Sequence, residues 1–498
     1  MRLRLRLPGP VLWTAVVALL AVVWMTFVVP LGDGLDEAEH VFRAYQLALG
    51  HLYPQFISCA LHPKPVGCNG QSGYLVPHRR VGGYLNKSLF LVIHKLFRLS
   101  LGRQGTHFNP SSYSRYLGLT LNASNTVFPH FENTVLYSPV NYVPQTVVFW
   151  FARQLSAPVV TTLFLARLVA GLVWAALVTC SVALMRRWRW LWSVAVLVPT
   201  GLAQGPSLSA DSVVLGLVAV SVAYAFRLAH AGEPLRRSQV ARLAVLGLLL
   251  GLLKFPIPLV LVGVVLIVWP LLGRGRSRSA ALAALLVPCF AAAAWWNVTI
   301  NAYFLPYRNT VFNVSEREHI NQHAQIHYVL THLLDMPALF WNTFTAGRLL
   351  QVDGLVGAYG THFFNGWFAV PWLILVGALV LVYPQRAAPP RRLRAALAGL
   401  FVVCFLVTVF ALYTTWDGVG APIIQGIQGR YFAPLLVLVI PILVGAVKLP
   451  WRIPKWFTPA AAMTLSGLGA IYLFETTAWT YYHQPAWQVL PRVVRVLF

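Results

Sequence analysis

The sequence predicts an all-α polytopic membrane protein with about 11 transmembrane helices, two large extracytoplasmic loops and juxtamembrane helices. Three observations predict it. The 498-residue chain is 58% hydrophobic and only 10% charged, with mean hydropathy +0.66, far from the balance of a soluble domain. Apolar runs of about 18 or more residues recur along it, each long enough to cross a hydrocarbon core. Its basic residues lie in short clusters between those runs: RRWRW, EPLRRSQVAR, GRGRSRS, PQRAAPPRRLR and KLPWRIPKW. Such clusters mark cytoplasmic loops, so the formal charge of +25 reports topology rather than a nucleic-acid-binding face.

The elements follow in order. The basic lead MRLRLRLPGP precedes an apolar run that closes at Pro30. The run is long for a signal-peptide core and lacks a clear A-x-A cleavage site. Residues 1–30 are therefore expected to be an uncleaved first transmembrane helix with a cytoplasmic N-terminus. Residues 31–157 form the first extracytoplasmic loop. Cys59 and Cys68 share it and are a candidate disulfide pair in an oxidising compartment. Cys180, Cys289 and Cys404 sit inside apolar runs and read as small buried hydrophobes. The amphipathic piece SLFLVIHKLFRLSLG carries Lys95 and Arg98 on its polar side. It fits a helix lying on the membrane surface and a packed helix of a small outer domain equally well.

Segment 138–155 is apolar and aromatic but broken by Pro139 and Pro144. The arginines that end the next run belong inside, so 138–155 is expected not to cross fully but to be re-entrant or interfacial. Transmembrane helices then fill 158–296 and 367–474, including passes at about 190–206 and a hairpin of about 241–255 and 256–272 that turns at LLKFPIP. The second extracytoplasmic loop, 297–366, separates the two sets. The tail 475–498 is aromatic and lies outside. No internal repeat is visible.

Only thirteen residues of the chain are acidic, which makes a local concentration of acid informative. Four lie in GDGLDEAEHVFRAYQLALG, residues 32–50. On a helix, Asp36, His40, Arg43 and Leu47 share one face. Asp36 and Glu37 are the catalytic candidates, as a general base. His40 and Arg43 are candidates for binding substrate. Asp33 suits a helix N-cap, and Glu39 has no assigned role.

Further candidates are scattered along the chain. Lys254 sits at membrane depth, where it either binds a lipid phosphate or snorkels to the interface. Arg430 in IIQGIQGRYFAP suits bidentate phosphate recognition, or anchors the helix at the interface with Tyr431. Asp211 in SLSADS fits a helix cap, a partner for a basic residue, or a substrate contact. Tyr142, with Tyr74, Tyr84, Tyr137 and Trp367, is an outer aromatic that suits a sugar face or an interfacial belt. His319, His323 and His327 repeat at i, i+4 and i+8. That stripe fits a zinc site or, more often, the polar face of a surface helix. Asp417 is a lower-ranked acid.

LDEAEHVFRAYQLALG resembles the PDEPAHFYRAYQLAEG opening of a bacterial membrane family called domain of unknown function 2142. LYSPVNYVPQTVVFWFARQL, SLSADSVVLGL, LGLLKFPIPLVL and IQGRYFAPLL are similar to further pieces of that family, in the family's order, from near residue 11 to about 446. The chain departs from the pattern at Leu35 and Ala38, where the family carries proline on each side of the acid pair. That family is grouped with the GT-C glycosyltransferases. The resemblance therefore implies a GT-C-like fold in a bacterial plasma membrane and an inverting transfer on its extracytoplasmic face. The sugar would come from a polyprenyl-phosphate donor and go to a cell-envelope glycan or lipid-linked acceptor, with Asp36 or Glu37 at the catalytic acid position. The alternative is a flippase or transporter of such a lipid-linked sugar without catalysis. Most spans carry no acid, which favours the enzyme. No cofactor is required by these motifs, and a divalent metal is the one to test.

Overall fold

The computed structural model describes residues 8–34, 36–59, 79–100, 107–122, 125–306, 319–348, 358–359, 362–363, 366–384, 388–447 and 453–497. Its helices are α1 (Gly9–Phe27), α2 (Glu37–Ala48), α3 (Lys87–Ser100), α4 (Val143–Gln154), α5 (Val159–Leu184), α6 (Arg189–Val196), α7 (Pro199–Gln204), α8 (Asp211–Ala231) and α9 (Arg237–Gly251). They continue with α10 (Val260–Val268), α11 (Arg276–Asn301), α12 (Gln322–Thr331), α13 (Met336–Thr345), α14 (Gly366–Leu381), α15 (Arg391–Trp416), α16 (Leu436–Leu443), α17 (Phe457–Tyr482) and α18 (Ala486–Leu497).

Among the described residues, six helices are long and apolar enough to cross a membrane: α1, α5, α8, α11, α15 and α17. Three further apolar stretches, Ile257–Leu271, Phe368–Leu381 and Gly429–Leu443, are shorter. The two other expected passes are less regular. Residues 190–206 divide into α6 and α7, a break that falls before Pro199, and 241–255 falls on the 15-residue α9. Proline at position 199 denies the chain a helical hydrogen bond and biases Val198 away from helical backbone, and Val198 is extended at ψ 139°.

α5 packs along both α1 and α8. The α5–α8 contact is close because Gly216 has no side chain: a Cβ there would lie 2.6 Å from the Leu177 side chain. Both helices run the same way. Trp188, just beyond α5, meets Phe226 and His230 in the last turns of α8 at 5.2 and 5.8 Å. The 21 residues of α8 span about 30 Å at 1.5 Å per residue. Asp211 and His230 therefore mark opposite ends of the bundle.

The first loop forms a small outer layer. β1 (Gln55–Ser58) pairs antiparallel with β2 (Arg79–Gly82), with Phe56 opposite Val81. β3 (Leu85–Asn86) pairs with β4 (Thr126–Val127). The amphipathic piece packs on the bundle by its apolar side: Leu89, Val92, Ile93 and Leu96 of α3 are buried in the core. α4 has only 12 residues, too few to span a bilayer. It packs on α2 and α5 while Val143, Val147, Trp150, Phe151 and Leu155 stay exposed on one face, the pattern of an interfacial helix. Cys59 is disulfide-bonded, and Cys68 lies outside the described residues. Cys289 and Cys404 are buried, whereas Cys180 is exposed on α5, contrary to the expectation of burial. Its neighbours Leu172 and Leu165 are exposed too, so this is an outward, apolar face of a candidate span.

Candidate functional site

The site is built on the turn between α1 and α2. Arg167, inside α5, donates from Nε to Glu37 Oε1 at 2.6 Å and from its NH2 nitrogen to Glu37 Oε2. It also donates to the carbonyls of Val29 (2.6 Å) and Pro30 (2.8 Å). Glu37 Oε2 accepts further bonds from the backbone N–H of Gly32 (2.9 Å) and Gly34 (3.1 Å). Both side chains of the pair are 1% exposed. Burial opposes ionisation of Glu37, but the Arg167 guanidinium and the two glycine N–H groups outweigh it and hold the carboxyl below its ordinary range.

These donors fill the lone pairs of Glu37. It is the residue that fixes the turn, not a carboxylate open to an incoming hydroxyl, which corrects its standing as an alternative base. The sequence reading missed Arg167. The signal was there: a lone arginine inside an apolar span marks a required partner.

Asp36 is the adjacent residue in a contrasting setting. It occupies the N-cap of α2 with left-handed backbone, φ 55° and ψ 19°, and its side chain caps nothing. Aspartate tolerates this conformation better than most residues. Asp33, expected to cap, lies in the preceding turn and donates its N–H to the carbonyl of Pro30. Ala38 sits in the first turn, where the backbone N–H has no intrahelical partner, so alanine serves there as proline does. Leu35 lies outside the described residues.

The Asp36 side chain is 39% exposed and accepts a 2.7 Å bond from an NH2 nitrogen of Arg430. Arg430 lies in the one-turn-and-more helix Gly429–Leu435. Its side chain is 6% exposed, and its Nε has no hydrogen-bond partner among the described residues. Beside this pair stands a second, Lys254 with Asp211. Lys254 belongs to the α9–α10 turn, and Asp211 opens α8. The Tyr431 ring lies between the cations, 5.5 Å from Lys254 Nζ and 5.3 Å from Arg430 Cζ.

His40 completes the cluster. Its Nδ1 shares a 2.7 Å hydrogen bond with the Tyr142 hydroxyl, and its ring stacks on Tyr137 at 5.7 Å and 11°. Burial pushes His40 down to about 4, against the opposite pull of Asp36 and Asp211, so the imidazole is neutral near pH 7. Backbone anchors hold the walls together. Asn141 and Ser138 both donate to the carbonyl of Leu252, and Gln145 donates to that of Ser209. The Pro-rich segment is thereby tied to the Lys254 turn and to the start of α8.

Of the sequence candidates, the structure brings together Asp36, His40, Tyr142, Asp211, Lys254 and Arg430. Arg43 is not among them. It is fully buried and donates to Gln46 and to the carbonyl of Leu52, so it holds the loop that follows α2. Glu39 accepts from the N–H of Asn133 at 3.0 Å, which fastens α2 to the outer layer. Asp417 accepts from the N–H of Gln425 in the loop leading to Arg430. Tyr84 is exposed against Phe128. Tyr74 and the side chain of Trp367 lie outside the described residues. The histidine stripe is broken: α12 starts at Gln322, after His319. Among the described residues no three His, Cys, Asp or Glu side chains gather as metal ligands.

Chemically, the arrangement offers one solvent-reachable carboxylate, two cations and a neutral imidazole at one end of the bundle. No functionally curated protein and no solved structure matches the chain. A family model described as "Predicted membrane protein (DUF2142)" matches residues 19–439, a stretch that contains every member of the cluster from Asp36 to Tyr431. The chain belongs to the DUF2142 family of predicted membrane proteins.

Proposed function

We propose that this protein is an inverting glycosyltransferase that takes a sugar from a polyprenyl-phosphate donor at the extracytoplasmic face of a bacterial plasma membrane, with a GT-C-like fold. The observation that carries the reading is the meeting of Asp36, Lys254 and Arg430, drawn from three distant parts of the chain, at one end of the bundle. A base and two cations are what this transfer needs.

The donor phosphate engages Arg430, whose Nε has no hydrogen-bond partner among the described residues, and Lys254. Each cation now shares its charge with the phosphate, and Asp36 is loosened from Arg430. The carboxylate takes the proton of the acceptor hydroxyl. The acceptor oxygen bonds to the anomeric carbon as the bond from that carbon to the phosphate oxygen breaks. The electron pair leaves with polyprenyl phosphate, and configuration inverts. Asp36 then returns its proton to solvent through its exposed edge. Neutral His40, held by Tyr142, is a hydrogen-bonding group for a sugar or acceptor hydroxyl.

The test is purified protein in lipid nanodiscs with radiolabelled polyprenyl-phosphate sugars and a crude envelope acceptor fraction. Transfer that disappears in Arg430→Gln supports the reading. Transbilayer movement of the donor without any transfer would replace it with the flippase reading.

A further inference from the structure

The end of the bundle opposite the Asp36 cluster holds a feature the proposed reaction does not use. An open pocket of about 510 Å³ is lined by Arg186, Arg187, Trp188, Arg189, Trp190 and Tyr383. It lies beyond the last turn of α5, next to the end of α8, and so about 30 Å from Asp211 by the length of α8.

The turn that forms it is rigid. Trp188 is 2% exposed, stands in left-handed backbone at φ 57°, and wedges against Phe226 and His230. Arg189 Nε donates to the carbonyl of Met185 at 2.6 Å, which closes the turn on itself. Trp190 reaches the start of α1, within 3.5 Å of where a Cβ on Gly9 would lie. The fixed turn leaves Arg186 and Arg187 exposed, and neither has a carboxylate partner among the described residues. The Trp188 indole N–H, buried in the cavity wall, also lacks a hydrogen-bond partner there.

Three guanidinium groups with no acid among the lining residues select an anion, and the planar fork of arginine matches phosphate oxygens best. Tryptophan and tyrosine beside them are the side chains that sit at headgroup level in a bilayer. The volume falls in the range of small-molecule sites, roughly 300–1,000 Å³, and exceeds what a bare phosphate fills. The geometry points to a binding site for a phosphate-bearing anion, of the size of an anionic phospholipid headgroup, on the Arg186–Arg187–Arg189 turn. It does not depend on the glycosyltransferase reading.

The experiment uses the full chain in neutral detergent and counts bound ligand by native mass spectrometry. The probes are dihexanoyl phosphatidylglycerol, dihexanoyl phosphatidylcholine and inorganic phosphate. Phosphatidylglycerol should be retained at least about tenfold better than phosphatidylcholine, the scale of one or two charge-assisted contacts. Arg186→Gln/Arg187→Gln should lose that preference. Arg274→Gln/Arg276→Gln, which removes two exposed arginines at the same end but outside the cavity, should keep it within about twofold, because general attraction to charge is all it reduces. Inorganic phosphate that displaces the lipid at equal concentration identifies a free phosphate as the ligand; failure to displace it identifies the headgroup. Equal retention of the two lipids, or equal loss in the two double variants, overturns the site. Should the cavity variant not fold, phenylglyoxal labelling of the unaltered protein decides: Arg186 and Arg187 protected by phosphatidylglycerol support the site, and unprotected arginines refute it.

Discussion

Glu37 and Asp36 are neighbours in sequence, and the structure predicts that they fail differently. Replacing Glu37 by alanine takes from the Arg167 guanidinium, at 1% exposure, the carboxylate that binds it through both oxygens. Breaking one partner out of such a pair costs about 3–5 kcal/mol. Glu37→Gln keeps the shape and loses the charge, which costs about 1.5–3 kcal/mol on the scale of a hydrogen bond to a charged group. The Asp36–Arg430 pair has a carboxylate that is 39% exposed, so solvent screens it and Asp36→Asn costs about 0–1 kcal/mol. Against a total stability of about 5–15 kcal/mol, the first change threatens the fold and the second does not. Reversible unfolding in mixed dodecyl maltoside–SDS micelles measures both. The double variant Glu37→Met/Arg167→Met removes both charges and should recover most of the loss, giving a coupling above about 2 kcal/mol. If Glu37→Gln and Asp36→Asn are equally harmless, or the double variant is as unstable as the sum of its parts, Glu37 is not the residue that fixes the turn.

Two further outcomes are expected. The folded state holds His40 at about 4 rather than its ordinary 6.5, so it resists protonation; the contribution is intact above pH 6.5 and is lost as pH falls toward 4. Stability should therefore fall across that window by up to about 3 kcal/mol, read as a lower melting temperature, and His40→Gln should flatten the slope; an unchanged slope contradicts the buried, neutral imidazole. Gly251→Ala would bring a Cβ to 2.2 Å from the Cys289 carbonyl oxygen, forcing α9 away from α11 at the base of the Lys254 turn, at about 1–3 kcal/mol. A melting curve reads that loss, and no shift would mean the two helices are not so closely packed.

The membrane class and most of the cluster were legible in the sequence because they depend on local signals. Apolar length reveals a span, and Lys254 and Arg430 stand out against apolar surroundings. The meeting of His40 with Tyr142 and of Asp36 with Arg430, 102 and 394 residues apart, was not legible as geometry, although both members of each pair were named. What failed had a common cause. Arg43 looks like a site residue by helical face and Glu37 by its place beside Asp36, but their partners, the carbonyl of Leu52 and Arg167, are set by tertiary packing. Helical spacing cannot say which of two adjacent carboxylates turns inward. The left-handed N-cap at Asp36 decides that; aspartate tolerates the conformation, but an aspartate opening a helix reads first as a capping residue in extended backbone. Apolarity and the alternation of basic clusters point to a pass at 190–206, and neither signal carries the break before Pro199.

Asp36 is proposed as the base of a sugar transfer. The decisive measurement is single-turnover transfer from a radiolabelled polyprenyl-phosphate sugar by Asp36→Asn protein shown to unfold like the unaltered chain. The rate is predicted to fall by about 10²–10⁴-fold, the usual worth of a positioned general base, while donor binding persists through Arg430 and Lys254. Transfer at an undiminished rate by folded Asp36→Asn protein would show that Asp36 is not the base.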